Sequence, residues 1–244
     1  MGEAWLPGAG CARSSIDGGR MKGGAPRAVW LTLGADPEQI SALSAAERLN
    51  QLGRPPHLVW NPVTGEVVQL IPIVRAACSL GPYGDACHEG RAGLAAGLHT
   101  SGPLAVAPRP GEAASINTEG RLCVQVGVVA FGWDPFTSGP VRGLPAILDW
   151  IDSWGVERRW PAGRPPAFAH AHNAPRSRKL WARGGHYGAS QVPDCVTGGP
   201  GAIDVDLMTG QPLPDVAAAT PRPRLAGTLT AMEVRAEDAL ARAG

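Results

Sequence analysis

The chain has 244 residues, 44% of them hydrophobic, and a formal net charge of +1. This length and composition are typical of a globular protein with a sizeable core, and the near-zero charge gives no electrostatic reason to expect a nucleic acid or an anionic membrane as partner. No apolar run approaches the ~18–20 residues that span a bilayer, and the sequence shows no secretory signal, which would have a basic segment followed by an apolar core.

The first predicted elements follow a Gly-rich, aperiodic lead-in over residues 1–26. The apolar run 28–33 contains β-branched and aromatic residues and predicts a buried strand. Residues 36–39 (Asp-Pro-Glu-Gln) then combine an N-cap, a proline at the first helical position and a capping-box glutamine, so they predict a helix start. Its apolar face would consist of Ile40, Leu43, Leu49 and Leu52, and Gly53 fits the position after its end.

A β-hairpin and a central strand are predicted next. Residues 57–60 and 66–72 are strand-like and flank a turn at 61–65. Residues 79–118 are rich in Gly, Ala and Pro and predict a loop, whereas the continuous apolar run 122–130 suits the centre of a sheet. From residue 143 to 154, apolar side chains recur at helical spacing, and Gly155 closes that helix.

Strands that alternate with helices predict an α/β domain over residues 27–210, with a mixed central β-sheet flanked by helices. The Pro-rich segment 211–226 predicts a semi-extended linker. A capping-box pattern at residues 230–233 predicts a short tail helix within residues 227–244. The sequence therefore predicts one large domain followed by a linker and a small C-terminal element.

The five cysteines are odd in number and irregularly spaced: Cys11, Cys78, Cys87, Cys123 and Cys195. Without a signal segment, reduced thiols are expected. The alternative is a bridge between Cys78 and Cys87 across the Gly-rich loop, which would require export without a signal.

The segment from Gly185 to Asp204 reads G-H-Y-G-A-S-Q-V-P-D-C-V-T-G-G-P-G-A-I-D. It resembles the active-site segment G-H-x-x-V-P-x-x-x-H-x-D-P-G-A-x-D of zinc-dependent N-acetylmuramoyl-L-alanine amidases of the phage-lysin and peptidoglycan-recognition type. Further blocks match this family in order, namely residues 29–32 (V-W-x-T), the hairpin 56–72, residues 117–128 (N…V-Q-x-x-V), and the run 135–161. The resemblance covers residues 27–206 and implies an amidase-like fold.

The resemblance implies a zinc centre whose ligands are missing here. In that family three protein ligands hold the metal, which polarises the amide that joins the muramyl lactyl group to L-alanine. The ligand positions fall on Leu31, Ala189 and Thr197, and none of these is a good zinc donor. The family's acidic positions fall on glycines 34, 127 and 199. We therefore expect no catalytic residues, no metal ligands and no cofactor.

These losses predict a catalytically inactive amidase-like domain, a pseudoenzyme, that retains weak binding of peptidoglycan or a muropeptide. The resemblance points to six candidate substrate-binding residues: Trp30, Thr32, Asn117, His186, Tyr187 and Gln191. We expect a cytoplasmic protein, or one released to the cell wall without a signal peptide. His57 is expected to form local hydrogen bonds, and Trp150, Trp154 and Trp160 are expected to pack in the core.

Two alternatives remain open. The first is an active N-acetylmuramoyl-L-alanine amidase, such as a bacteriophage endolysin, with a metal site relocated to His186 and Cys195. The second is a structural or assembly protein that uses the amidase scaffold and docks onto a protein partner through residues 227–242.

Overall fold

A mixed β-sheet organises the part of the chain that the structure describes. A computed structural model of the chain describes residues 2–80, 116–167, 176–195, 197 and 199–210, which all belong to the unit Met1–Gln211. The strands are β1 (Gly10–Cys11), β2 (Arg27–Thr32), β3 (Leu58–Trp60), β4 (Val67–Gln69), β5 (Cys123–Val128) and β6 (Gly185–Gly188). Within the described residues they form one six-stranded sheet in the order β1-β4-β3-β5-β2-β6. All neighbouring strands run parallel except β3 and β4, which are antiparallel.

The helices lie on both faces of this sheet. They are α1 (Ala42–Gln51), α2 (Leu144–Ser153), α3 (Arg178–Trp181) and α4 (Val205–Thr209). The α/β class and the mixed sheet with flanking helices are thereby confirmed, while the amidase-like version of the fold stays a prediction. The predicted linker at 211–226, the tail helix and residues 81–115 of the predicted loop lie outside the described residues.

The strands that the sequence predicted are present. β2 and the β3–β4 hairpin occur where expected, with Leu58 opposite Gln69. β5 lies between β3 and β2, and all its residues are buried, as the continuous apolar run predicted. β5 is therefore a central strand with both faces covered.

The start of α1 differs from the prediction. Ser41, not Asp36, is the N-cap, and its hydroxyl accepts a hydrogen bond from the Ser44 backbone N–H. Asp36 instead closes a short turn by accepting from the Glu38 backbone N–H at 2.9 Å. The Glu66 carboxylate also caps α1, with 2.7 Å between its Oε2 and the Ala42 nitrogen, and a carboxylate there is favoured by the helix dipole.

The buried face of α1 also differs from the prediction. Its buried side chains are those of Ala42, Ala45 and Ala46. Of the predicted apolar residues, Leu49 is partly buried against the sheet-facing cluster, but Ile40, Leu43 and Leu52 are 38%, 44% and 53% exposed. The alanines face Val59 and Val68 in one apolar cluster, so small side chains make the contact with the sheet. Gly53 has φ +69°, as expected after the helix end.

The alternation of β2 side chains defines two sides of the core. Ala28 and Trp30 point into a large cluster with α2, the α2-side cluster, which includes Ile147 and Ile151. Val29 and Leu31 point to the other face, into a cluster that we call the β6-turn cluster, shared with Cys123, Tyr187, Ala189, Val192 and Cys195. The helix α2 agrees with its prediction, and Gly155 after it has φ +76°.

The N-terminal segment belongs to this fold. The lead-in was predicted to be a loop, yet β1 pairs with β4 at the sheet edge and Leu6 is 7% exposed. The Glu3 carbonyl accepts hydrogen bonds from the Nε1 atoms of Trp150, at 2.8 Å, and Trp154, at 3.1 Å. The segment is thus tied to the sheet and to α2 together.

One of the described cysteines is not the reduced thiol that the sequence analysis expected. Cys78 is disulfide-bonded, and its partner lies outside the described residues. Cys11, Cys123 and Cys195 are free thiols, and burial raises the pKa of Cys123 to about 12. The expectation of reduced thiols is therefore wrong for Cys78.

Among the described residues, no helix has the length and apolar character needed to cross a membrane.

Candidate functional site

Two of the three positions matched to zinc ligands, Leu31 and Ala189, lie near the carboxyl ends of β2 and β6. Because Trp30 pairs with Gly188 in the parallel ladder, Leu31 and Ala189 follow at the same edge of the sheet. Both belong to the β6-turn cluster and are 3% and 0% exposed. Thr197 is partly buried, and its hydroxyl donates to the Ser79 carbonyl at 3.4 Å. Zinc needs nitrogen, sulfur or oxygen donors, and two of the three side chains are hydrocarbon, so these residues do not fit a zinc ion.

The glycines matched to the family's acidic positions lie where the backbone conformation or the surrounding space disfavours a larger side chain. Gly34 has φ +67° and Gly199 has φ +72°, values at which an L-residue is strained. A Cβ atom on Gly199 would lie 2.1 Å from the Thr32 Oγ1, far inside contact distance. A Cβ on Gly127 would lie 3.1 Å from the Leu33 Cδ2. The present backbone therefore leaves no room for an aspartate at position 199.

His186 is enclosed between two tryptophans. Its ring centroid lies 6.1 Å from that of Trp30 and 6.2 Å from that of Trp160, with nearly parallel planes in both pairs. The Trp30 Nε1–H donates to His186 Nδ1 at 3.1 Å. Burial lowers the pKa of His186 to about 4, with a smaller contribution from the charge of Arg158. The ring is therefore neutral at pH 7 and carries its proton on Nε2, which has no hydrogen-bond partner among the described residues.

His186 and Cys195 lie on opposite sides of the sheet. His186 faces Trp30, a member of the α2-side cluster, whereas Cys195 belongs to the β6-turn cluster. The pair that the alternative prediction used for a relocated metal site is thus not brought together. Across the described residues, no three His, Cys, Asp or Glu side chains are grouped so that they could hold a metal ion.

Asn117 and Tyr187 use their polar atoms inside the fold. Asn117 is 2% exposed, and its amide bonds both backbone groups of Leu80, with 3.1 Å from the Leu80 nitrogen and 2.6 Å to the Leu80 oxygen. The Tyr187 hydroxyl donates to the Leu180 carbonyl at 2.5 Å. Burial raises the pKa of Tyr187 to about 12. Asn117 thereby anchors the segment that ends at Leu80, and Tyr187 anchors α3 to β6.

Gln191 plays a similar internal part. Its Oε1 accepts from the Trp160 Nε1–H at 2.7 Å and from the Gly188 backbone N–H at 3.0 Å. Its Nε2 donates to the Gly163 carbonyl at 2.8 Å. Gln191 therefore joins β6 to the 160–163 segment. The ligand-binding roles of Asn117, Tyr187 and Gln191 stay predictions.

Thr32 is the one of the six candidates that is not buried. It lies beside Gly132, where a Cβ atom would be 3.4 Å from the Thr32 Oγ1. Gly132 separates Phe131 from Trp133, whose rings stack with centroids 4.9 Å apart and an interplanar angle of 18°. Trp133 is 68% exposed. We call Phe131 and Trp133 the aromatic ledge.

The aromatic ledge was not among the residues predicted from the sequence, because Phe131 and Trp133 lie outside every position singled out by the family resemblance. Trp150 and Trp160 are 5% and 9% exposed, which confirms their predicted core role, whereas Trp154, predicted with them, is only partly buried against the same cluster. The signal that could have revealed Trp133 is its position in a Gly- and Asp-containing segment just after the central strand, outside any apolar period.

His57 forms hydrogen bonds, as the sequence predicted, but its partners lie far away along the chain rather than locally. Its Nδ1 accepts from the Gln125 backbone N–H at 3.0 Å, and its Nε2 donates to the Arg75 carbonyl at 2.8 Å. Burial lowers the pKa of His57 to about 4. His57 is a neutral, fully satisfied residue that connects β5 to the segment after β4.

Comparison of the chain with protein-family models, with curated proteins and with solved structures gave no match.

Proposed function

We propose that the chain is an amidase-like domain that has lost zinc-dependent hydrolysis and binds peptidoglycan or a muropeptide weakly. The observation that carries this proposal is the placement of Leu31 and Ala189. They follow paired residues of adjacent strands and share one apolar cluster. Ligands of a common metal centre require such proximity, yet both side chains are hydrocarbon and buried.

The surrounding residues support loss of the metal rather than its relocation. A buried polar ligand without its metal would cost free energy, and apolar replacements avoid that cost. Gly199 stands where the family has an aspartate, and the Thr32 side chain occupies the space that a side chain at position 199 would need. The scaffold around the former centre is thus adapted to the absence of ligands.

The aromatic ledge is the surface that we assign to the bound glycan or peptide. An exposed indole ring offers a large apolar face at low entropic cost, and Phe131 holds the Trp133 ring by stacking. The ledge adjoins Thr32, a partly exposed residue whose hydroxyl would provide a polar contact beside it.

Co-sedimentation of the full chain with purified cell walls tests the proposal. We expect binding that falls severalfold in Trp133→Ala and is unchanged in Leu43→Ala, a control that removes a 44% exposed apolar side chain from α1. Binding of a soluble muropeptide should also protect Trp133 from acrylamide quenching of fluorescence, because it is the most exposed indole.

The same preparations separate the alternatives. Release of peptides with a new N-terminal L-alanine from the walls, together with about one zinc per chain that EDTA removes along with the activity, would overturn the pseudoenzyme proposal in favour of the active amidase. Sedimentation no greater than that of an unrelated control protein would overturn the binding role and favour the scaffold interpretation.

A further inference from the structure

A second surface feature lies at the amino end of β2, away from Thr32 at its carboxyl end. It is a cleft of about 390 Å³, lined by glycines 23, 24 and 120 and by four chemically distinctive side chains, Lys22, Arg27, Glu119 and Trp181. Arg178 also borders it. The cleft shares no residue with the aromatic ledge or with the β2 positions matched to the amidase site.

Arg27 is the unusual member of this cleft. Its side chain is 4% exposed, and its guanidinium lies over the Trp181 ring, 4.2 Å from the centroid. Its Nε and Nη1 have no hydrogen-bond partner among the described residues. The carboxylate of Glu119 is 3.8 Å from Nη1, too far for a hydrogen bond. A buried guanidinium with unused donors is costly unless a counter-charge reaches it.

Glu119 does not supply that counter-charge in full, because other donors hold it. Its Oε1 accepts from the Arg178 Nη1 at 2.6 Å, and its Oε2 accepts from the Trp181 Nε1–H at 2.7 Å. Arg178 also pairs with Asp194. Lys22, Arg27 and Arg178 thus face two carboxylates, which leaves the cleft with an excess positive charge.

The glycines keep the space above Arg27 open. A Cβ atom on Gly120 would lie 3.5 Å from the Arg27 Nε, while one on Gly23 would meet nothing within 4 Å. A side chain at position 120 would also press on the Ala25 and Leu122 carbonyls, at 2.8 Å each. The backbone therefore forms a shallow cradle beside a cation.

We propose that this cleft binds a small oxyanion, a carboxylate or a phosphate group, with the Arg27 guanidinium as its buried charge and the exposed Lys22 ammonium at its rim. Guanidinium and ammonium groups recognise both kinds of oxyanion. The proposal does not depend on binding of peptidoglycan, since the two surfaces lie at opposite ends of β2.

Isothermal titration of the full chain with sodium phosphate and, separately, with sodium acetate tests the site, with sodium chloride holding the ionic strength constant. We expect saturable binding of one or both salts and a saturable rise in Tm, and the arm with the lower Kd identifies the oxyanion. Lys22→Met should weaken binding about two- to fivefold, Arg27→Met should abolish it, and Arg48→Met, which removes an exposed charge from α1, should leave it unchanged.

The rim variant keeps the test decisive even if Arg27→Met fails to fold. The proposal is overturned if neither salt binds saturably at constant ionic strength, or if Lys22→Met binds as tightly as the unmodified chain. An equal loss in Arg48→Met would also overturn it, because the effect would then reflect net charge.

Discussion

Replacement of Gly199 by alanine should destabilise the protein through two separable effects. The first is backbone strain at φ +72°, which costs about 1–2 kcal/mol for an L-residue, partly offset by about 0.4–1 kcal/mol because alanine restricts the unfolded chain. The second is the new Cβ atom, which would lie 2.1 Å from the Thr32 Oγ1.

The structure provides a control for each effect. Gly34 has φ +67°, but its Cβ would meet nothing within 4 Å, so Gly34→Ala reports backbone strain alone, about 1 kcal/mol. Gly199→Ala should cost about 2–4 kcal/mol, because forced overpacking adds about 1–3 kcal/mol. Thr32→Ala removes Oγ1 and leaves the Thr32 Cβ 3.4 Å from the new atom, an acceptable contact. The double variant should therefore regain the overpacking cost only.

The assay is equilibrium unfolding in urea, followed by tryptophan fluorescence under non-reducing conditions. The two single variants Thr32→Ala and Gly199→Ala and their double variant form a thermodynamic cycle with an expected coupling of about 1–3 kcal/mol. A Gly199→Ala variant no less stable than Gly34→Ala, or a coupling near zero, would show that Thr32 yields freely and that the close approach does not constrain this site.

Three further predictions follow from buried polar groups and from the lost ligands. Asn117→Ala should lower the free energy of unfolding by about 2–4 kcal/mol, because the Leu80 backbone groups lose their partners. The protein that remains folded should bind cell walls as before. A selective loss of binding would instead place Asn117 in a ligand groove. Burial lowers the pKa of His57 and His186 from 6.5 to about 4, so their contribution to the free energy of unfolding is complete above pH 6.5 and falls as the pH drops towards 4. Urea unfolding at pH 5 should show a loss of roughly 2 kcal/mol for each histidine relative to pH 7. Equal stabilities at the two pH values would contradict the burial of these rings. Retention of zinc after dialysis should require all three substitutions Leu31→His, Ala189→His and Thr197→His in one variant, with Gly34 and Gly199 kept. One zinc per chain in the unmodified protein, or in any single variant, would refute the assignment of these three residues to the ligand positions.

The sequence predicted the parts of the fold that depend on long apolar patterns. β5 and α2 carry continuous or periodic large side chains, and both occur as expected. The predicted start of α1 was wrong because Asp36 and Pro37 suit a turn as well as a helix start. The predicted buried face of α1 was wrong because the helix contacts the sheet through alanines, whereas the prediction relied on large apolar residues. β1 has only two residues, too few to show any period.

The side-chain orientations at the candidate site were not predictable from the sequence. Leu31 and Ala189, which the resemblance matches to two ligand positions, do lie at one edge of the sheet, but their assignment to a lost zinc centre stays a prediction. A linear pattern does not tell whether an amide faces a groove or a backbone, however, and Asn117 and Gln191 both turned inwards to backbone partners. The burial of Arg27 against Trp181 was likewise not predicted, because it is a contact between residues far apart in the sequence.

The position of β2 in the sheet has a consequence for synthesis on the ribosome. Among the described strands, β2 pairs with β5 and β6, whose residues emerge long after Arg27–Thr32. At 5–20 residues per second, the nascent strand waits roughly 10–30 s for β6. Throughout that interval at least one edge of this apolar strand lacks its partner and is exposed to other nascent chains. Ribosome-bound fragments that stop before residue 185 should therefore recruit chaperones, and native structure should form only after release of β6 from the exit tunnel.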